Sequence, residues 1–358
     1  MKKTIGFIVA FLALTGCHDR LEIENRAFAV SLGVDKGQNG GYNITLSIPV
    51  AQEGGRGYIN VSETGSSIYA AMEAIDSKVS KKVDYGQMKF IIFGESILND
   101  EALFKGAVGS LERNPEINRQ INVMASDMDA RGVLCAELNG EGLAGSFIAD
   151  YYRNYSSKNK EAFKQTIESF VKQMGGSGSA LMPKITADSG SACIGGAGLI
   201  KNNKLAGFLN EGDLNGYMHF KNLSGGMVLQ ADFEGRPIAL KITRPTSRVN
   251  CYESGGLIYC DVEVKCKGRA PGFFSTYEGA GEVNELEALF EGIIKEDIIR
   301  VGEKFSNEFS ADGFGIFEIL RKYNHNLYLE YKGAEEQALA GIVINPIVSV
   351  DILGAPHG

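Results

Sequence analysis

The side chains able to carry chemistry are few, and their spacing excludes most enzymes. The four histidines, His18, His219, His325 and His357, lie far apart, and none forms the H-x-x-x-H pair of a helical zinc site. A serine nucleophile at a strand–helix elbow needs G-x-S-x-G. The nearest string, Gly175-Gly176-Ser177-Gly178-Ser179, ends in serine and has the composition of a loop. A dinucleotide fingerprint needs G-x-G-x-x-G between strand and helix. Gly196-Ala197-Gly198 falls inside a strand pattern, and Gly313-Phe314-Gly315 is followed by Glu318 where the third glycine belongs. No Gly-Lys-Ser/Thr phosphate loop occurs, and Glu285, Glu287 and Glu291 read as the solvent face of a helix. The chain is therefore expected to be non-enzymatic, with no metal and no cofactor.

One residue is singled out by its setting. Leu14-Thr15-Gly16-Cys17 has the form of a bacterial lipobox: a branched apolar residue, two small residues, then cysteine. Lys2 and Lys3 precede an uncharged apolar run from Thr4 to Gly16, and His18, Asp19, Arg20 and Glu22 follow at once. A membrane-spanning helix needs about 20 apolar residues, so this run is too short. Residues 1–16 read as a lipoprotein signal peptide and the Cys17 thiol as the acceptor of a diacylglyceryl group. Two acyl chains on one residue would satisfy the two-signal requirement for stable anchoring. The expected membrane contact is thus lipid through acylated Cys17.

Five further cysteines are an odd set for a complete disulfide framework. Cys251 and Cys260 flank Ser254-Gly255-Gly256, a hairpin turn. Pairing Tyr252 with Leu257 makes the two cysteines diagonal neighbours, so free thiols are expected there.

The elements that must position these residues follow from composition and periodicity. The chain has 358 residues, 44% hydrophobic and 22% charged, enough for two or three globular domains. Lys+Arg number 36 against 44 Asp+Glu, and no basic block occurs, which excludes nucleic acid as a natural partner. The first half reads β-β-α-β-α-β-α-α, and the glycine-serine string at 175–179 suggests a linker or exposed loop running to about Ser191. Short strands dominate afterwards. A long helix over 284–309 carries the stripe Leu286, Leu289, Phe290, Ile293, Ile294, Ile298, Val301, Phe305 and Phe309. A final strand spans 342–352. The expected organisation is a 17–190 α/β region containing one domain and part of a second, a strand-rich middle domain at 191–240, and an α+β domain at 241–358. The expected fold class is α+β (mixed α/β).

Three strings, in order, resemble one family. Asp19-Arg20-Leu21-Glu22-Ile23-Glu24-Asn25-Arg26 leads to Ser31-Leu32-Gly33-Val34-Asp35-Lys36-Gly37. Gly196 to Leu209 is similar to a family hairpin, and Ala311-Asp312-Gly313-Phe314-Gly315-Ile316-Phe317-Glu318-Ile319-Leu320-Arg321-Lys322 resembles its most recognisable string. The family is Ger(x)C, the lipoprotein C subunits of the germinant receptors of bacterial endospores. His18 departs from the family's usual Trp after the lipid cysteine, and the stretch after the Asp312 string also lacks its usual Trp. The resemblance implies three domains, each a mixed sheet with surrounding helices. It also implies residence on the outer leaflet of the inner spore membrane, assembly with membrane-spanning A and B subunits, and no enzymatic activity. Glu22, Ile23, Gly33, Asp35, Asp312, Gly313 and Gly315 are the motif residues, with a structural role expected. Asp312 can cap a helix beginning near Phe314. The main alternative is an extracellular solute-binding lipoprotein of a transporter, which requires two alternating β/α lobes around a hinged cleft.

Overall fold

The computed structural model describes residues 22–52, 55–138, 142–143, 147–148, 151–152, 163–188, 190–271 and 280–353. The signal segment, Cys17 and most of the helix expected over 143–155 lie outside the described residues.

The fold is mixed α/β, built on two large sheets. A short strand β1 (Arg26–Phe28) runs parallel to β5 (Lys82–Asp84) beside the first of them. That sheet has eight strands. Its centre is β2 (Ser31–Lys36), β6 (Phe90–Phe93) and β7 (Asn122–Ser126), all parallel. On one side β3 (Tyr42–Gln52) and β4 (Gly55–Gly65) extend it as antiparallel strands. After a separate two-stranded pair, β8 (Glu137–Leu138) and β9 (Gly142–Leu143), the other side is formed by β10 (Ser179–Asp188), β11 (Ser191–Lys201) and β12 (Lys204–Leu209). Phe90-Ile91-Ile92-Phe93 is buried throughout because both faces of its strand are covered. Ile91 and Phe93 join a core with α1 (Ile68–Asp76), α3 (Glu101–Glu112) and α5 (Ile167–Ser177). Phe93, Phe104 and Phe170 meet edge to face there, with centroids 5.1 and 5.9 Å apart. Phe90 and Ile92 face α4 (Ala130–Cys135) instead. Between β6 and α3 lies the single turn α2 (Glu95–Leu98).

The glycine-serine string is no linker. Helix α5 continues to Ser177, Gly178 adopts φ +68° to end it, and β10 starts at Ser179. What looked like linker composition is a glycine-rich helix end. Strand β11 then hydrogen-bonds back onto β10 and β12 onto β11, and helix α6 (Glu211–Phe220) leaves the sheet. The strand at 179–188 and α6 were not expected from periodicity.

The second sheet has four strands, in the order β13 (Val228–Phe233), β14 (Arg236–Ser254), β15 (Leu257–Arg269) and β16 (Ile342–Ile352). Helix α7 (Ala280–Glu303) passes into a π turn at Lys304–Glu308. Its residues Leu286, Phe290, Ile294, Ile298 and Val301 are fully buried against the face carrying Ile258, Cys260, Val262, Val264 and Cys266. Helices α8 (Ile316–Tyr323), α9 (His325–Tyr331) and α10 (Glu335–Ala338) follow. Leu181, Ala197, Leu199 and Leu209 of the first sheet belong to this same core, so the two halves share buried apolar surface.

Two further sequence expectations are corrected. Cys251 and Cys260 form a disulfide, with Cα atoms 4.2 Å apart. Gly255 and Gly256 both take positive φ, +63° and +81°, and close a two-residue turn. The register is therefore Ser254 opposite Leu257, not Tyr252 opposite Leu257, and the cysteines become a directly facing pair. Glu287 and Glu291 do not simply face solvent. Their carboxylates accept the outward N–H groups of Ile352 (2.8 Å) and Val350 (3.1 Å), and so close part of the free edge of β16.

Candidate functional site

Five of the seven motif residues gather at two buried nodes, each built on an aspartate that accepts two backbone N–H groups at the start of a helix. The first node is at the end of β2. Gly33 and Asp35 lie on the face opposite Leu32 and Val34 and meet α4. The Asp35 carboxylate, 3% exposed, accepts the N–H groups of Ala130 (2.8 Å) and Arg131 (3.0 Å). These are orphan donors of the first helical turn, satisfied from 95 residues away. A Cβ on Gly33 would lie 3.0 Å from Leu134 and 3.1 Å from Ala130, and one on Gly94 would collide with the Asp35 carboxylate itself. Burial raises the Asp35 carboxyl above its ordinary range, and the two N–H donors act against that rise. Next along the strand, Lys36 Nζ bonds Asp100 at 2.8 Å, and Asp100 caps α3 through the N–H of Leu103. That lysine holds the Asp100 carboxyl below its ordinary range.

The second node is at the join between the halves. Asp312, 6% exposed, accepts the N–H groups of Ile316 (2.7 Å) and Phe317 (3.0 Å), capping α8. Its own carbonyl accepts the Ser179 hydroxyl at 2.8 Å, from the first residue of β10. Gly315 turns the chain at φ +67°, and a Cβ on Gly313 would stand 2.4 Å from the Phe305 ring. Phe314 stacks on Phe220 with centroids 3.9 Å apart and meets Phe305 edge on at 5.0 Å. Lys221, at the end of α6, donates to the Phe314 carbonyl at 2.5 Å. Burial raises the Asp312 carboxyl and lowers the Lys221 amine, while their opposite charges pull each back toward the ionised form.

Glu22 and Ile23 join neither node. Glu22 precedes a single 3₁₀ turn at Ile23–Asn25 without capping it through its side chain, and Ile23 is 75% exposed.

Sequence reading missed a third polar group. Asp213 forms a capping box with Asn210 at the start of α6 and bonds Lys304 at 2.9 Å and Arg300 at 3.4 Å. Arg300 also holds Asp297 at 2.6 Å. Burial pushes the Asp213 carboxyl up, but the bonds from Lys304 and the Asn210 N–H outweigh it, and the net direction is down. The Asn-x-x-Asp spacing and the helical spacing of Asp297, Arg300 and Lys304 were the available signals. His219 is fully buried with neither ring nitrogen bonded among the described residues, and burial lowers it to about 4. These groups hold helices and interfaces together. None places a nucleophile beside a base. Among the described residues, no group of three or more His, Cys, Asp or Glu could hold a metal, and no helix is long and apolar enough to cross a membrane.

Comparison with known proteins covers both halves. A profile described as the spore germination protein N-terminal domain matches residues 19–187. One described as spore germination B3/GerAC-like, C-terminal, matches residues 195–354. Spore germination protein B3 of Bacillus subtilis (strain 168) is 24% identical over 93% of this chain and 93% of its own. Spore germination protein A3 of the same organism is 20% identical over 75% of this chain and 73% of its own. A crystal structure of the GerBC protein shares the fold, with a TM-score of 0.64 and 19% identity over 90% of this chain and 97% of that one. With both halves matched in order, the chain belongs to the Ger(x)C family of spore germination proteins.

Proposed function

We propose that the protein is a non-catalytic, lipid-anchored subunit of a spore germinant receptor. It works through contact with the membrane-spanning A and B subunits on the outer leaflet of the inner spore membrane. The observation that carries this reading is the match to spore germination proteins along nearly the whole chain. The geometry supports it: the motif aspartates are spent on helix N-termini, as a scaffold for partner surfaces requires. The division at residues 190/191, with a middle unit at 191–240 and a C-terminal unit at 241–358, is kept as part of this proposal. It marks units of sequence, since strands on either side of the first boundary pair within one sheet. The solute-binding alternative needs two alternating lobes around a cleft, and the eight-stranded sheet running from Ser31 to Leu209 does not support it.

Spores lacking the protein should lose their germinant response, and the intact chain should restore it. Cys17→Ala should not, and should accumulate as uncleaved or mislocalised precursor. Tagged protein should co-purify with the A and B subunits. A mature N-terminus other than acylated Cys17 would sink the anchoring claim, and a full response in the deletion strain would sink the receptor reading.

A further inference from the structure

The outward face of the second sheet has an unusual charge pattern. Strand pairing places Lys241 directly opposite Arg269 and Arg244 directly opposite Lys267. Like charges facing each other across strands destabilise a sheet. Lys265 and Arg248 continue the same face, and all six cations are exposed. Among the described residues two carboxylates share these rows: Asp351 pairs with Lys267, and Glu263 pairs with Lys265 and stands directly opposite Arg248. Lys241, Arg244 and Arg269 have no ion pair among the described residues, and each faces another cation across the strands. The protein as a whole carries −8, so this basic face stands on a molecule otherwise more acidic than its net charge. Beyond a polar row of Asn250, Asp261 and Asn345, the face ends at the hairpin tip in an apolar and aromatic row. There Tyr252 stacks on Tyr259 at 5.8 Å, Val343 lies beside Tyr259, and Leu257 is 40% exposed.

We infer that this face is a docking surface for an anionic lipid bilayer. Opposed cations cost stability in the free protein, and an anionic partner removes that cost. The choice of a lipid surface over an acidic polypeptide rests on shape and on the tip. The cations sit on long exposed side chains across an open sheet face about 40 Å long, which suits a plane of headgroups. Tyrosines with an adjoining leucine are side chains that settle at a membrane–water boundary. The acidic remainder of the chain would be repelled by the same bilayer, so attraction at one face and repulsion elsewhere fix the orientation. The surface does not depend on Cys17 or on the receptor reading.

The test is lysine acetylation footprinting of the full-length chain, read by mass spectrometry, with phosphatidylglycerol-rich or phosphatidylcholine vesicles. Lys241, Lys265 and Lys267 should be protected roughly threefold or more by the anionic vesicles alone. The protection should fade as salt rises from roughly 50 to 500 mM. Lys105, Lys204 and Lys332, exposed elsewhere, should react equally with both vesicles. The triple variant Arg244→Gln, Arg248→Gln, Arg269→Gln should lose the protection while melting no lower than the parent, because relief of the Arg244–Lys267 and Arg269–Lys241 repulsions offsets the lost attraction between exposed Arg248 and Glu263. Equal labelling of the three lysines with both vesicles would overturn the inference, as would protection that survives in the triple variant. Stronger protection by polyglutamate than by vesicles of equal charge would overturn it in favour of an acidic polypeptide partner.

Discussion

Replacing Asp312 by alanine tests whether the second motif node holds the two halves together. Its carboxylate accepts two N–H groups, at 2.7 and 3.0 Å, in a buried setting. A hydrogen bond to a charged group contributes about 1.5–3 kcal/mol net, and part of that gain offsets the desolvation that pushes this carboxyl up. Alanine would leave both donors unpaired and remove the negative charge facing buried Lys221. The expected cost is about 3 kcal/mol, a large share of the roughly 5–15 kcal/mol that stabilises a domain. Asp100→Ala is the reference. Asp100 caps α3 through one N–H at 3.1 Å from a partly exposed position, so its loss should cost about 1 kcal/mol, with a small addition for the Lys36 pair. Asp312→Asn keeps the shape and one acceptor and should fall between them. Urea unfolding of the full-length protein in mild detergent at neutral pH, followed by circular dichroism, gives all three values. If Asp312→Ala costs no more than Asp100→Ala, the buried node carries no special weight and the reasoning fails.

Other outcomes are equally specific. Alkylation under denaturing conditions without reductant should leave Cys251 and Cys260 unlabelled and mark Cys135, Cys193 and Cys266. Cys251→Ser should lower stability by about 2–3 kcal/mol; labelling of all five would contradict the bridge. His219 ionises near 6.5 when unfolded and is lowered to about 4 in the fold by burial. The unfolded chain therefore binds the proton first, so stability is full above about pH 6.5 and is lost as pH falls toward 4. The loss should total up to about 3 kcal/mol, and His219→Phe should flatten unfolding curves over that window. Calorimetry with amino acids, sugars or bile-salt-like germinants should show no binding to this chain by itself; saturable micromolar binding would revive a solute-capturing role.

The sequence alone was enough to read what is local. The stripe of α7 repeats at helical spacing, and its burial follows from that period. Asp312 lies four and five residues from the N–H groups it accepts, so the cap was visible in the string itself. The chain of motifs from Glu22 to Lys322 was likewise legible as an ordered pattern. Contacts made across strands were not. Asp35 caps a helix 95 residues on, and nothing near it in sequence announces that partner. The disulfide turned on whether the hairpin closes with two residues or four. Two positive-φ glycines decided it, and a small change of turn moves every cross-strand pair. The carboxylates of Glu287 and Glu291 found the β16 edge only once α7 lay across it. The basic face is the plainest case. No stretch of the sequence is a basic block, because three of the six cations are spread over β14 at 241, 244 and 248 and three alternate along β15 at 265, 267 and 269. Antiparallel pairing, with its period of two, turns that scattered set into one charged surface.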